Sequence, residues 1–422
     1  MQIWEKMGFR DNPYDKDSLE VSEQGSNLFI DRDSESKYFQ TVLSSASGGL
    51  VMVEGDVGVG KTSFINIQQY QSLKKKDDMP YLLPCFETVE ICEPIDTFQI
   101  LLSVLSHCFQ ALESILKDEI KKDDRLNEIS RLIGQSILSS LSWQAGVSIP
   151  GGAGGSVGLG STKTQTVPAG VSAQILINAL DNMQKIIREK YGFEGVYVLL
   201  NNLNVISDSG IVALFDRMRD IFVKRKNFWW ILLARKGIFS MMERESSRAS
   251  EMFNGEPIVL APLPWPEIER AIDLRIKYFR TREDAEPPVP IEIVHLLYDI
   301  SKGEIMYIFK RITDLVINFK SKYPSTGAIN YDEALLTLRQ LAAERLKEQR
   351  SLSKTDWVVL EKMADAGEFR PKDFQWFGLK SAQSLNKYIQ KFLELNLLYR
   401  FEEGKASIYR CAGDVKLYYQ KK

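Results

Sequence analysis

The chain has 422 residues, of which 44% are hydrophobic and 26% are charged, and its formal net charge is −2. This length exceeds what one compact core usually serves, so we expect two or three domains of an ordinary globular protein. The near-neutral charge excludes a global attraction to nucleic acid, so any such binding has to come from a local basic surface.

No segment has the pattern of a membrane span or a secretory signal. No apolar run is long enough to cross a bilayer, and residues 1–10 lack a basic stretch followed by an apolar one. The four cysteines, Cys85, Cys92, Cys108 and Cys411, form no Cys-x-x-Cys pair, and only two histidines are present. We therefore expect a cytoplasmic protein with no membrane partner, whose cysteines are reduced structural thiols rather than zinc ligands.

Strands and helices alternate along the first 260 residues. Short apolar runs of Val, Ile, Leu and aromatic residues predict strands at 50–54, 81–91, 195–200, 228–233 and 257–260. Apolar residues at helical spacing predict helices at 62–69, 97–116, 171–191 and 211–226. This alternation predicts an α/β fold in which helices cover both faces of a parallel sheet.

A segment rich in Gly, Ser and Thr, residues 146–170, interrupts this alternation. Dense glycine makes ordering costly in backbone entropy, which favours a disordered surface insertion. The alternative is a mobile element that contacts DNA or a neighbouring subunit.

After residue 262 the pattern changes to helices alone and then to a different unit. Residues 263–350 predict a small helical domain, interrupted by prolines. Residues 351–422 predict three helical stretches followed by two strands around a Glu-Gly-Lys turn, which is the arrangement of a winged helix. We therefore predict three domains, at 1–262, 263–350 and 351–422.

The sequence GDVGVGKT at residues 55–62 matches the P-loop pattern in full and lies between a predicted strand and a predicted helix. Glycines let backbone N–H groups surround phosphate oxygens, and the helix N-terminus favours their negative charge. Lys61 would reach the terminal phosphates, and Thr62 would be the Mg²⁺ ligand. The predicted contacts with ATP or ADP are Gly55, Asp56, Val57, Gly58, Val59, Gly60, Lys61, Thr62 and Ser63.

P-loop proteins usually end a later strand with carboxylates that hold the Mg²⁺ shell and activate water. Here the run VYVLLNNL at residues 196–203 places Asn201 and Asn202 at those positions. An amide can orient water but cannot act as a general base. Hydrolysis is therefore expected to be weak or absent, unless Asp208 or Asp216 reaches the site from the following segment.

These motifs, in their order, resemble AAA+ ATPases, in particular the replication initiators, helicase loaders and signal-transduction ATPases. NPY at 12–14 and LFIDRDSE at 28–35 are similar to the blocks that flank the adenine in that clade, and VLLNN at 198–202 to a degenerate Walker B. WWILLARKG at 229–237 resembles a sensor-1 strand, and LAPLPWPEIERAI at 260–272 resembles the start of the lid.

The resemblance also implies arginines that sense phosphate. The sensor-2 motif Gly-x-x-Arg is replaced by Gly-Glu-Ile-Met at 303–306, which leaves Lys310 or Arg311 as substitutes. An arginine finger for a neighbouring subunit could come from Arg244 or Arg248, although arginines in such a polar stretch are more often solvated surface residues.

In the winged helix, residues 381–395 would form the recognition helix. Lys380, Ser384, Lys387 and Lys391 share much of one helical face, and Lys405 lies at the tip of the wing. This basic surface suits the phosphates of double-stranded DNA, although winged helices also dock on proteins.

The leading hypothesis is a nucleotide-dependent switch, in which ATP binding controls assembly on DNA or on a partner through the winged helix, as a homo-oligomer or as a subunit of a larger complex. The alternative is an interaction or scaffold subunit of a prokaryotic defence or mobile-element complex with structural nucleotide. A third possibility is an active ATPase motor.

Overall fold

The computed structural model describes residues 3–76, 79–145, 172–203, 206–324, 327–347, 351–403 and 406–419. Two compact units are present: Ser18–Ala261 is an α/β unit, and Pro262–Lys422 together with Met1–Asp17 is a C-terminal unit. The first 17 residues thus belong with the C-terminal unit and not with the predicted first domain, while the division into three domains stays a prediction. The predicted insertion at 146–170 and Lys405 lie outside the described residues.

The α/β unit contains a six-stranded sheet whose strands pair in parallel. The strands are β1 (Gly49–Gly55), β2 (Leu82–Leu83), β3 (Val89–Glu90), β4 (Gly195–Asn201), β5 (Phe228–Ala234) and β6 (Ile258–Leu260). Their order is β2-β4-β5-β1-β6, and β3 also pairs with β4. The P-loop strand β1 therefore has a paired neighbour on each side.

Successive side chains of β5 enter two separate apolar clusters. Trp230 and Leu232 belong to the cluster on one face of the sheet, and Trp229, Ile231 and Leu233 belong to the cluster on the other. Burial on both faces explains why this strand is a continuous apolar run rather than an alternating one. The predicted fold class, a parallel sheet covered on both faces, is confirmed.

Helices supply the residues that cover the two faces. Those of the α/β unit are α2 (Glu23–Leu28), α3 (Asp33–Ser45), α4 (Lys61–Leu73), α5 (Thr97–Leu116), α6 (Asp124–Ala145), α7 (Ala173–Tyr191), α8 (Asp208–Lys224), α9 (Ile238–Glu245) and α10 (Ser247–Ser250). Residues of α5 to α8 cover one face, and residues of α3 and α4 cover the other.

Helix α6 was not predicted from the sequence. Gly134 and a serine-rich second half lower its helix propensity. Leu126, Ile129 and Ile133 nevertheless recur at helical spacing and are buried in the cluster that covers the sheet. Burial of this apolar stripe therefore outweighs the weak intrinsic propensity.

Helix α5 and the 3-10 turn after it, Thr97–Lys122, are long and apolar enough to cross a membrane by length and composition. This corrects the expectation that no apolar run is long enough. Half of the apolar window is buried inside the protein, and Leu101, Leu105 and Leu112 belong to the core cluster on the sheet. Such burial is typical of a core helix, and the cytoplasmic location stays a prediction.

The four cysteines are free thiols in two different environments. Cys85, Cys108 and Cys411 are buried, whereas Cys92 is exposed. Burial raises the pKa of Cys85 to about 11 and that of Cys411 to about 12, and it also raises the pKa of Cys108.

The C-terminal unit begins with helices and ends with the element order of a winged helix. Its elements are α1 (Ile3–Lys6), α11 (Trp265–Phe279), α12 (Ile291–Ser301), α13 (Ile305–Lys322), α14 (Tyr331–Lys347), α15 (Lys354–Ala366), β7 (Glu368–Phe369), a 3-10 helix (Pro371–Phe377), α16 (Ala382–Glu394), β8 (Leu398–Glu403), β9 (Ala406–Cys411) and α17 (Gly413–Tyr419). The three strands form an antiparallel sheet in the order β7-β9-β8. The sequence did not predict β7 or α17.

A cluster of four charged residues ties α17 to α13 and α14. Asp414 accepts hydrogen bonds from Arg311 at 2.7 Å and Arg345 at 3.3 Å, and Asp314 accepts from the same two arginines at 3.1 and 2.7 Å. Each guanidinium thus faces two carboxylates, an arrangement in which the charges offset the cost of burial.

Glycine 413 allows α17 to approach α13. A Cβ at this position would overlap the Tyr307 ring, so we expect Gly413→Ala to lower the free energy of unfolding by about 1–3 kcal/mol through overpacking. Gly327→Ala is the matched control, because within the described residues no atom beyond its chain neighbours lies within 4 Å of its Cβ position, and it should change stability by less than about 0.5 kcal/mol. Urea unfolding of both variants tests this, and equal midpoints would contradict the close approach.

Candidate functional site

The turn between β1 and α4 has a backbone that only glycine adopts readily. Gly58 and Gly60 have φ angles of +80° and +92°, in the left-handed region. At Gly55 a Cβ would lie 2.7 Å from the Leu260 carbonyl oxygen and 2.8 Å from Val59 Cγ2. The glycines of the motif therefore allow the left-handed backbone of this turn and the close packing of the end of β1 against β6.

Helix α4 begins at Lys61, directly after this turn. The first amides of a helix have no partner within it and point out of its N-terminus, where they favour an anion. The glycine turn and the first amides of α4 are thus suited to the phosphates of a nucleotide.

The Lys61 side chain folds back over the turn. Its Nζ donates hydrogen bonds to the carbonyl oxygens of Gly55 at 2.8 Å and Asp56 at 3.0 Å. Burial lowers the pKa of Lys61, and the nearby charge of Asp56 opposes this effect. A phosphate would shift that pKa upward again, because an anion favours the ammonium form.

Ser63, a predicted nucleotide contact, also has a structural partner. Its Oγ accepts a hydrogen bond from the Leu19 N–H at 3.1 Å, and Asn66 donates to the Leu19 carbonyl at 2.8 Å. Two residues one helical turn apart on α4 therefore hold the segment at Leu19. The sequence did not predict this attachment.

Glu54, the last residue before the motif, is buried and was missed by sequence reasoning. Its carboxylate accepts hydrogen bonds from the N–H of Gly237 at 3.0 Å and of Phe239 at 2.6 Å, at the start of α9. The end of β1 is thereby joined to the segment that follows β5. A lone acidic residue inside an apolar strand was the available clue, because buried carboxylates need partners.

The end of β4 carries Asn201 and Asn202 as predicted, and it also lies beside a carboxylate. Asn201 pairs with Glu90 across the β3–β4 register, and its Nδ2 donates to Glu90 Oε1 at 3.2 Å. Asn202 has a φ of +67°, a conformation that asparagine tolerates better than most residues. Glu90 was not predicted as a site residue, because its pairing with Asn201 depends on a register between distant segments.

The alternative bases and the arginine-finger candidates lie on exposed positions of the α/β unit. Asp208 accepts a hydrogen bond at 3.0 Å from Arg235, the residue directly after β5, and Asp216 is exposed on α8. The predicted finger candidates Arg244 and Arg248 are exposed on α9 and α10. Their assignment stays a prediction.

Arg311, one of the two candidates for the missing sensor-2 arginine, is held in ion pairs, and its role as a sensor stays a prediction. It is 9% exposed and is bound to Asp314 and Asp414 in the charged cluster of the C-terminal unit. Lys310, the other candidate, is exposed.

The two blocks predicted to flank the adenine lie in different units. In the C-terminal unit, Asn12 Nδ2 donates to Thr313 Oγ1 at 3.0 Å, and Thr313 donates to the Tyr14 carbonyl at 3.0 Å. In the α/β unit, buried Arg32 donates to the Ala261 carbonyl. Both blocks thus have structural contacts, and their role at an adenine stays a prediction.

The predicted DNA face of α16 is only partly available. Lys391 Nζ donates to Asp356 at 2.7 Å, and Asp356 is 5% exposed. Ser384 donates its N–H to the N-cap residue Ser381 at 3.2 Å. Lys380 and Lys387 are exposed and stay predicted phosphate contacts. Lys391 thus has a partner within the winged helix, although its side chain stays 37% exposed, and its contact with DNA stays a prediction.

Lys391→Ala should therefore act on stability. It leaves a buried carboxylate without its strongest donor, at a cost of about 1–3 kcal/mol in unfolding free energy. Burial raises the pKa of Asp356, but hydrogen bonds from Lys391 and Ser353 outweigh it and leave that pKa below 3.8. This contribution is thus complete above pH 3.8 and is lost as pH falls through the lower, folded-state pKa.

Lys387→Ala is the matched control on the same helix, and it should alter stability by less than about 0.5 kcal/mol. Urea unfolding at pH 7 and at pH 3 measures both variants. If Lys391→Ala left stability unchanged at pH 7, the ion pair with Asp356 would be contradicted.

The fold and the site define a P-loop α/β protein with helical and winged-helix parts. No family model and no curated protein matches the chain. Among solved structures, it is similar to the ORC2 protein of Aeropyrum pernix in ADPNP and ADP complexes, with 12% identity and a TM-score of 0.48 over 97% of this chain and 96% of that one.

Two other solved structures are similar over comparable lengths. The A. pernix ORC1 protein in complex with DNA has 11% identity and a TM-score of 0.48, over 95% of this chain and 92% of that one. Cdc6p from Pyrobaculum aerophilum has 9% identity and a TM-score of 0.45, over 97% and 98%. These structures are similar to the chain over almost its whole length, but similarity this low assigns no family to the chain and no role to any residue.

Proposed function

We propose that the chain is an ATP-binding switch protein that acts on double-stranded DNA through its winged helix and hydrolyses ATP slowly or not at all. The observation that carries this proposal is the glycine turn at Gly55, Gly58 and Gly60, with the Lys61 ammonium folded over it.

Different groups of the turn would contact the phosphates and the Mg²⁺ ion of the nucleotide. Backbone amides and Lys61 would hold the phosphates, and the Thr62 hydroxyl would hold Mg²⁺, which neutralises phosphate charge when bound. Lys61 would exchange its two carbonyl acceptors for phosphate oxygens, so the lysine is already placed before the ligand arrives.

Slow hydrolysis is proposed from the residues at the end of β4. Asn201 and Asn202 bring no carboxylate, and Glu90 lies one strand further from β1 in the sheet order. Loss of a positioned general base typically costs about 10²- to 10⁴-fold in rate. Binding without rapid turnover suits a switch whose state depends on which nucleotide is bound.

Isothermal titration with ATP tests the binding site. Lys61→Ala should weaken ATP binding by about 10- to 100-fold, the value of a charge-assisted hydrogen bond. Lys74→Ala is the control, since this exposed lysine lies at the other end of α4, and it should bind like the unchanged protein. Absence of binding by the unchanged protein at millimolar ATP would end the proposal.

Turnover measurements test the role of the asparagines. The double substitution Asn201→Asp and Asn202→Glu should raise the steady-state ATPase rate by about 10²-fold or more, because it restores a carboxylate pair. A high rate in the unchanged protein that this substitution does not increase would support an active motor instead.

A second candidate is a scaffold subunit with structural nucleotide, which the missing carboxylates also favour. Mass measurement with and without ATP separates the two, since a switch should change assembly with nucleotide and a scaffold should not.

A further inference from the structure

A cavity of the C-terminal unit has an apolar floor. It lies between α11, the chain that leads into α12, and residues 328–329 before α14, and its volume is about 560 Å³. The floor consists of buried aliphatic side chains, which are those of Ile272, Ile276, Val289, Val294 and Ile329. A volume of this size is typical of pockets that bind small molecules. The floor is therefore suited to a short aliphatic chain.

The same cavity carries negative charge that no lining cation balances. Glu269 and Asp273 line it from α11, where their spacing places them on one helical face, and Glu286 lines it from the loop before α12. All three residues are exposed, and no Lys, Arg or His is among the described residues that line the cavity. Because the carboxylates belong to two segments of the chain, a ligand with two ammonium groups could pair with both segments at once.

Tyr14 adds an unpartnered polar group to the lining of this cavity. It is 1% exposed, and its hydroxyl has no hydrogen-bond partner among the described residues. Its ring packs against those of Trp4 and Phe309, with centroids 6.5 and 6.2 Å away. Burial raises the pKa of Tyr14, so the phenol keeps its proton at neutral pH. A neutral phenol oxygen can accept a hydrogen bond from an ammonium group, which is a contact independent of the carboxylates.

We propose that this cavity binds an aliphatic diamine, a linear molecule with an ammonium group at each end, through the carboxylates of Glu269, Asp273 and Glu286. The methylene groups of the ligand would cover the apolar floor, and Tyr14 would accept a hydrogen bond from one ammonium group. Longer polyamines share this chemistry, because they repeat ammonium groups along an aliphatic chain. The inference goes beyond the proposed function and requires neither ATP nor DNA.

Isothermal titration of the full chain with cadaverine, a diamine with five methylene groups, tests this inference. Pentylamine has the same carbon chain with a single ammonium group, so it should bind about 2- to 5-fold more weakly, which is the value of one exposed ion pair. Pentanol, which carries no charge, should show no measurable binding. All titrations are made at one ionic strength, so that screening of the carboxylates is equal for the three ligands.

Four variants separate the contributions of the lining. Asp273→Asn and Glu286→Gln should each weaken cadaverine binding by about 2- to 5-fold, and Tyr14→Phe should weaken it by about 2- to 10-fold through loss of one hydrogen bond. Glu292→Gln is the matched control, because this exposed residue of α12 does not line the cavity. It changes the net charge equally and should bind cadaverine like the unchanged protein. If thermal unfolding shows that Tyr14→Phe does not fold, the two variants at exposed carboxylates still test the site.

Several outcomes would overturn the inference. No cadaverine binding at millimolar concentration, or binding that neither carboxylate variant weakens, would make the carboxylates ordinary surface residues. Equal binding of cadaverine and pentylamine would indicate a pocket for a single lysine side chain of a partner protein. Displacement of cadaverine by adenosine, which carries no charge, would indicate that the cavity belongs to the adenine site predicted near residues 12–14. The first two results would leave the proposed ATP binding unaffected, since the P-loop lies in the other unit.

Discussion

The steric constraint at Gly55 is the one on which the P-loop depends. A Cβ there would meet the Leu260 carbonyl at 2.7 Å, so β1 can pass β6 closely only because the side chain is absent. After Gly55, the left-handed backbone conformations of Gly58 and Gly60 reverse the chain direction so that α4 can begin at Lys61. Because β1 is paired with β5 and β6, the start of this turn is fixed. The Lys61 side chain then hydrogen-bonds to the carbonyl oxygens of Gly55 and Asp56 at that start.

Much of the α/β unit was predictable, because a strand that is buried on both faces of a sheet is a continuous run of apolar residues. Strands β4 and β5 are seven residues long and almost wholly apolar. The single strand predicted at 81–91 is two strands of two residues each, β2 and β3, and their division depends on their register with β4. The P-loop could be predicted because its residues are contiguous in the sequence. Glu90 lies beside Asn201 only through strand pairing, so the sequence did not reveal it.

The charged residues of the C-terminal unit show a second limit. Helical spacing tells which side chains share a face, but it does not tell what that face meets. Lys391 was grouped with Lys387, yet it pairs with Asp356, which is 35 positions away. Arg311 is buried because Asp414, 103 positions further along, accepts its hydrogen bond. Such partners are set by tertiary packing, so spacing alone could not predict which of these cations form an ion pair within the protein.

The thiol distribution makes the protein suitable for site-selective labelling. Cys92 follows Glu90 by two residues, and the N–H between them, on Ile91, donates to the Asn201 carbonyl at 3.2 Å. The other three thiols are buried with raised pKa values, which leaves little reactive thiolate near neutral pH. A maleimide fluorophore would therefore attach beside the end of β4 in the unaltered sequence, where its emission can follow that strand end without any engineered cysteine.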